Sequence, residues 1–455
     1  MLTAHHIPGP PGRFLVGNLP EFKHNPLKCL IAWQREYGDL IHFKLGFRDF
    51  YLISHPELAE QALVQQPENF VKIYDANKPN GLALILGQGL VTSSGDLWRK
   101  QRRLIQPVFH RSNVITMLPA MIAACQQLMA RWDKLPAGST VNMADEMLRL
   151  TIEVITQTMF GTSVLGQIEQ IAPALEMSLR FAAKTIMNPL RLPLFMPTPA
   201  NRRFIEARRL LDELIYGIIA QRRAHAAGVN DLLQMLLDAQ DPDTGEKMSD
   251  RQIRDEVLTI FSAGHETTAT ALTWTLALLA RNPDKLSRLK DELRTVLGGK
   301  VPDANDLNQL TYTKAVLEEA LRIRPPVGIT LRKLARDTQL QGYPLKAGGI
   351  TVFCIYNMHH HANFWKQSEI FDPDRFLNTD KRNKAYMPFG IGHRFCAGNH
   401  FALIEGQLLL VMLVQQYDFK LTGDNLPEME MVVTIKPKGG LPMEICRSDN
   451  KSTII

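Results

Sequence analysis

Residues 389–398 read Phe-Gly-Ile-Gly-His-Arg-Phe-Cys-Ala-Gly, and a nearly unbroken apolar stretch, Asn399–Gln416, follows them. A cysteine set just ahead of a helix receives the free N–H groups and partial positive charge of that helix's first turn, which favours an ionised sulfur. The glycines at 390, 392 and 398 let the backbone approach and turn its N–H groups toward Cys396. Phe389 can cover the sulfur, and Arg394 brings a permanent cation two residues away. A metal-binding thiolate needs this setting: anionic, open on one side and shielded from bulk water. Two plainer readings stand beside it. A lone cysteine near a glycine turn is ordinarily a buried structural residue. His393, Cys396 and His400 also have zinc-like spacing, but structural zinc sites draw on paired Cys/His clusters. Only the histidine run at 359–361 offers a further ligand.

A second unusual segment lies upstream. Ser249–Asp250 offers an N-cap, helical periodicity runs on to Arg281, and Asn282–Pro283 stops it. That predicts about thirty helical residues, or roughly 45 Å. Phe261–Leu279 is apolar or small on almost every side, the mark of a buried helix. At its centre stand Ala263, Gly264, His265, Glu266, Thr267 and Thr268. Threonines bonded back to their own helix and a surface glutamate are the plain reading of that cluster. An acid beside an alcohol on a buried helix is also a means of passing protons where bulk water is excluded.

The pattern Phe-x-x-Gly-x-Arg-x-Cys-x-Gly, filled by Phe389, Gly392, Arg394, Cys396 and Gly398, resembles the haem-binding signature of the cytochrome P450 family. Other segments match the same family in order. Trp98-Arg99-Lys100-Gln101-Arg102 is similar to its Trp-x-x-x-Arg helix, in which Trp98 and Arg102 share one face. Ala263–Thr268 resembles its oxygen-side segment. Glu319-Ala320-Leu321-Arg322 resembles its Glu-x-x-Arg pair, and Pro373-Asp374-Arg375-Phe376 supplies the arginine that locks it; His359 and Trp365 match a landmark between the two.

The resemblance covers nearly the whole chain and implies a mainly α, triangular single domain, 1–455, with small β-sheets. It implies haem b (iron protoporphyrin IX) ligated by Cys396, with Phe389, Gly392, Arg394 and Gly398 framing the ligand. Trp98, Arg102, Arg332 and Arg394 would meet the propionates. Glu319, Arg322 and Arg375 would form a structural triad fixing the cysteine loop. Glu266 and Thr267 would activate dioxygen, the cysteinate donating electron density from the opposite side. Gly264 and the Thr267 hydroxyl would loosen the local helix to open a groove. By family position the substrate pocket draws on residues from Phe70 to Val91, parts of Leu179–Met187, Ala263, Val327–Thr330 (Val327 and Ile329 foremost) and Met431–Thr434 (Val433 foremost). These are almost all apolar, so a small lipophilic substrate is expected: fatty acid, terpenoid, carotenoid or steroid-like.

The rest of the chain bounds the partners. Its 455 residues carry a net charge of +6. The basic residues are spread along the chain, which argues against nucleic acid. The five cysteines are scattered, odd in number and without a CxxC pair, so a reducing compartment is expected. No signal-like start and no apolar run of ~18 residues occurs. The expectation is a cytoplasmic protein, with peripheral membrane contact through the apolar Leu190–Met196 stretch as the lesser alternative to its covering the pocket entrance. No flavin or iron–sulfur module follows the last hairpin. Electrons are therefore expected from a separate ferredoxin or flavodoxin-type donor with its reductase, docking near Arg99–Arg103 and the cysteine loop. A zinc protein and a cofactor-free helical scaffold are the competing classes.

In secondary structure, a helix over Leu27–Tyr37 and a hairpin of Asp39–Lys44 with Phe50–Ile53 form an N-terminal β-rich lobe at about 37–55. Mostly helical periodicity follows from Pro56 to about Arg336. Strands are expected at Gln339–Leu345 and Ile350–Cys354, and a hairpin near Pro437, Gly439 and Gly440.

Overall fold

The computed structural model describes all residues except 1–5, 162–164, 188–191, 226–230, 241–244, 378–382 and 449–455. It is mainly helical, with small sheets at its edge. The helices that position the site are α1 (Pro26–Tyr37), α2 (Gly95–Ile105), α3 (Met143–Phe160), α4 (Ile168–Met187), α5 (Pro199–Ala224), α6 (Asp250–Arg281), α7 (Thr311–Ile323) and α8 (Asn399–Gln416). The long α6 starts where the sequence marks it: the Ser249 side chain accepts from the Gln252 N–H, and the helix ends at Asn282, before Pro283. Both α6 and α8 are enclosed by one large core that includes Trp274, Leu272, Leu408 and Val411, with α3 packed along α6.

The largest sheet has the order β1 (Leu40–Leu45), β2 (Arg48–Ile53), β8 (Ile350–Cys354), β5 (Ile329–Leu334) and β3 (Phe70–Val71). The N-terminal hairpin is therefore not a lobe of its own. Its second strand pairs in parallel with β8, Phe50 opposite Ile350, across three hundred residues of chain. Side chains alternate strictly. Phe50, Leu52, Val352 and Cys354 join Leu27, Leu30 and Trp33 of α1 in one cluster, whereas Tyr51, Ile53, Phe353 and Leu334 enter another on the opposite face.

Two further readings are corrected. The helical run expected to reach about Arg336 ends at Ile323, because Pro325–Pro326 breaks it, and Ile329–Leu334 is a strand. The tail does not form a hairpin around Gly439–Gly440. Instead β10 (Met429–Met431) pairs with β11 (Ile435–Pro437), while β12 (Pro442–Arg447) lies between β4 (Thr140–Asn142) and β9 (Tyr417–Leu421). The glycines thus connect two sheets. A separate hairpin joins β6 (Thr338–Leu340) to β7 (Tyr343–Leu345). Among the described residues no helix is long and apolar enough to cross a membrane.

Candidate active site

The cysteine loop is closed by its own backbone: the Cys396 N–H donates to the Phe389 carbonyl at 3.0 Å, and that of Phe395 to Gly392 at 3.0 Å. Gly392 has φ +71°, and a Cβ there would stand 2.3 Å from the Leu63 carbonyl oxygen. The loop can lie this close only without a side chain. Gly392→Ala is expected to cost about 1–3 kcal/mol and to lower the haem retained per chain, checked by denaturation midpoint and pigment-to-protein ratio.

Cys396 faces a cavity between α6 and α8, and its exposure is to that interior space. Burial pushes the thiol up, against the opposing pull of the Gly398 N–H and the Arg102 cation. The helix terminus alone therefore does not ionise this sulfur. Metal coordination displaces a thiol proton, and binding of iron would do so here. Across the cavity lie Ala263, Gly264, Thr267 and Thr268 of α6; apolar walls come from Val91, Ile260, Val327, Phe389 and Phe401.

One end of the cavity is cationic. Lys72, Arg102, Arg332 and Arg394 line it together with Trp98, and no carboxylate does. The Arg394 guanidinium stacks 3.9 Å over the Trp98 ring and donates to the Ser93 carbonyl, while its Nη1 is buried without a partner. Arg332 donates to Thr330 and to the Leu331 carbonyl, and Arg102 to the Phe395 carbonyl. Burial lowers Arg332 to about 10 and Arg394 to about 9, with mutual repulsion adding at Arg394. Lys72 is held well below its ordinary value by burial, then by Arg332 and Arg394. Four converging cations without a counter-charge are costly unless an anion joins them. A flat apolar macrocycle with carboxylates at one edge and a metal open to a sulfur fits this cavity. Lys72 belongs to no motif; only the folded chain brings it to the three arginines.

Behind the loop, Glu319 and Arg322 pair at 2.7 and 2.8 Å with both side chains fully buried, and Arg375 approaches Glu319 at 3.3 Å. Arg322 also donates to the His359 carbonyl at 2.8 Å and stacks on Trp365. The Met387 N–H donates to His359 Nε2 at 3.0 Å. That nitrogen must be bare, so Nδ1 carries the hydrogen and donates to the Arg322 carbonyl at 3.0 Å. Burial lowers His359 to about 3, which keeps this tautomer neutral. A continuous strut thus runs from α7 through His359 to Met387, two residues before Phe389.

The oxygen side departs from expectation in geometry. Helix α6 is continuous through 263–268, and the Thr267 hydroxyl donates to the Ala263 carbonyl at 2.7 Å. A Cβ on Gly264 would stand 2.8 Å from Ile155, so this glycine lets α3 approach rather than loosening the helix. Thr151 of α3 donates to the His265 carbonyl at 2.9 Å. Thr267 lines the main cavity, but Glu266, about 100° further round the helix, does not. Glu266 lines a second cavity with Glu176, Arg180, Glu430 and Lys436. It accepts from Thr434 at 2.9 Å, and burial raises its pKa. Glu405 of α8 went unnoticed in the sequence. It is buried, bonded to Thr268, and pushed up to about 8 by burial.

Two pocket residues are displaced from their expected places. Thr330 and Arg332 face the cavity, so Ile329, one residue out of step, packs into the sheet cluster with Phe43 and Leu52. Val433, between β10 and β11, packs against the large core instead. Leu179 lines the second cavity. Of Leu190–Met196, Leu190 and Arg191 lie outside the described residues; Leu194 borders a separate cleft with Tyr216 and Arg254, and Phe195 stands exposed. His393 packs edge-on to Trp98, and among the described residues no group of three His, Cys, Asp or Glu is placed to hold a metal ion, so zinc finds no ligand set.

A haem-thiolate oxygenase is the class that this fold and cavity define. Residues 7–443 match the model of the cytochrome P450 family, and the chain belongs to that family. It is similar to cyclooctatin synthase of Streptomyces melanosporofaciens, 34% identical over 97% of this chain and 96% of the relative. It is also similar to cyclooctat-9-en-7-ol 5-monooxygenase of the same organism, 32% identical over 89% and 87%. Pentalenene oxygenase of Streptomyces avermitilis is 33% identical over 89% of each chain. The protein is a cytochrome P450 monooxygenase.

Proposed function

We propose that the protein inserts one oxygen atom from dioxygen into a polycyclic terpenoid, using haem b held by Cys396 and electrons from a separate ferredoxin or flavodoxin-type donor. The observation that carries this is the pairing of a lone cysteine with four uncompensated cations around a cavity that is otherwise apolar. Terpenoids are preferred over fatty acids, carotenoids and steroids because the similar bacterial oxygenases act on terpenoid compounds. The residues expected to hold the cofactor are Trp98, Arg102, Arg332 and Arg394, joined by Lys72. When bound, haem supplies an iron centre that takes up dioxygen and electrons and delivers an oxygen atom.

The chain's own part is to exclude water and move protons. Thr267 presents a hydroxyl to the cavity from the helix opposite Cys396. Glu266 takes protons from the polar second cavity on the other side of α6 and passes them round the helix by a side-chain swing, burial favouring its protonated form more than in a free carboxyl. The open groove of Trp98, Arg99, Arg102, Arg103 and His110 receives an acidic electron donor. A cytoplasmic location accords with five free cysteines.

The test is a spin-state titration of the purified holoprotein with polycyclic terpene hydrocarbons, terpene alcohols, fatty acids and steroids, followed by product analysis with a surrogate ferredoxin and reductase. Terpenes should shift the spin state and yield mono-oxygenated products; a response confined to fatty acids would overturn the substrate assignment. Thr267→Ala should leave substrate binding intact while product per electron pair falls roughly tenfold or more. Unchanged coupling would remove Thr267 from the proton path.

A further inference from the structure

Two joined turns near the start of the chain hold four apolar side chains out into solvent. Arg13 and Gly17 pair across a tight turn, with N–O distances of 3.0 and 2.8 Å. At its tip Leu15 takes φ +64°, a conformation that residues bearing a Cβ rarely adopt. The turn is seated on β1: Gly17 bridges Leu45, the Gly46 N–H donates to the Val16 carbonyl at 3.0 Å, and a Cβ on Gly17 would stand 2.4 Å from the Lys44 carbonyl oxygen. The turn between β1 and β2 therefore sits beside it and adds Phe47. Phe14 is 89% exposed, Phe47 83%, Leu15 58% and Val16 41%.

Single exposed apolar residues are ordinary, whereas a group of four braced by backbone hydrogen bonds marks a contact surface. The surround is basic. Arg13, Lys23, Lys44 and Arg48 are all exposed, against two carboxylates, Glu21 and Asp49. Glu21 is taken up by Arg13 at 2.7 Å; Asp49 is shared by His42 at 2.8 Å and Lys44 at 3.7 Å. Among the described residues no ion pair engages Lys23 or Arg48.

We propose that this tip docks the protein on an anionic lipid bilayer, with Phe14, Leu15 and Phe47 entering the headgroup layer and Lys23, Lys44 and Arg48 meeting acidic headgroups. Aromatic rings suit that interfacial depth, and nearby cations add attraction that salt weakens. A lipophilic substrate partitions into the same layer, so docking would raise its local concentration. The inference stands on the surface alone, independent of which substrate the cavity takes.

The test is vesicle flotation of the full-length holoprotein with phosphatidylcholine alone and with phosphatidylcholine mixed with phosphatidylglycerol. The wild type should float with the mixed vesicles, and added salt should weaken this. Phe14→Ser with Phe47→Ser should cut the bound fraction roughly tenfold, and Lys44→Glu with Arg48→Glu should remove the preference for the acidic lipid. These side chains project into solvent, and an unchanged haem-thiolate spectrum checks each variant's fold. Absence of wild-type flotation, or flotation unaffected by the serine pair, overturns the proposal. So does concentration-dependent self-association, without vesicle binding, that the serine pair abolishes, because the tip would then pair two copies of the chain.

Discussion

Cys396→Ala is expected to abolish oxygenation and to erase the strongly red-shifted Soret band of the reduced, carbon monoxide-treated protein. The sulfur is the one group in the cavity able to act as an anionic soft ligand, and Arg102 is the only cation that lowers its pKa. The apolar walls and the four cations survive the substitution. Some pigment can therefore stay bound, and it is the band position that isolates the role of the sulfur. Loss of the red shift with retained pigment matches ligation by Cys396. A red-shifted band or undiminished oxygenation in the alanine variant would sink the assignment.

Breaking the buried pair behind the loop should have the second largest effect. Both side chains are fully buried, so removing one strips the other of its closest counter-charge, at a cost of about 3–5 kcal/mol. That is about a fifth or more of the stability of a typical domain. The two variants should differ. Glu319→Ala strands the Arg322 guanidinium, which cannot lose its proton, together with the Asp372 N–H that donates to Glu319 at 3.0 Å. In Arg322→Ala, Glu319 can escape by taking a proton, since burial already raises its pKa and Arg322 is the leading group holding it down.

The sign follows from linkage. In Arg322→Ala the folded-state pKa of Glu319 lies above its unfolded value, so the folded chain binds the proton more tightly. That variant is relatively stable at low pH and loses stability as pH rises through the interval between the two values. Glu319→Ala lacks this dependence. Denaturant midpoints and haem retention measured on both variants across mildly acidic to mildly alkaline pH check the pattern. Equal, pH-independent losses would show that the pair does not behave as a buried ion pair.

Much of this molecule was legible in local chemistry. The Ser249 cap and Asn282–Pro283 bound α6, Gly398 and the apolar run beyond it mark α8, and the glycine-spaced loop singles out one cysteine among five. Each of these signals depends on residues within a few positions of one another, where capping, proline sterics and periodicity act. The β5 strand was missed because its residues fell within the stretch read as helical up to about Arg336, whereas the segment is held by pairing with β8. Ile329 was misplaced for the same reason: its facing depends on the register of a strand whose partner is remote.

By itself, then, the sequence determined the cysteine, its loop, the helices before and after it, and the acid and alcohol at the centre of α6. Tertiary structure decided which of these groups meet. Lys72 joins three arginines from distant segments, His359 bridges Arg322 to Met387, and Thr267 and Glu266 open onto different cavities. The physical reason is that capping and turn chemistry are paid within a few residues, while burial, charge convergence and the side of a helix that meets empty space arise only once remote segments pack together.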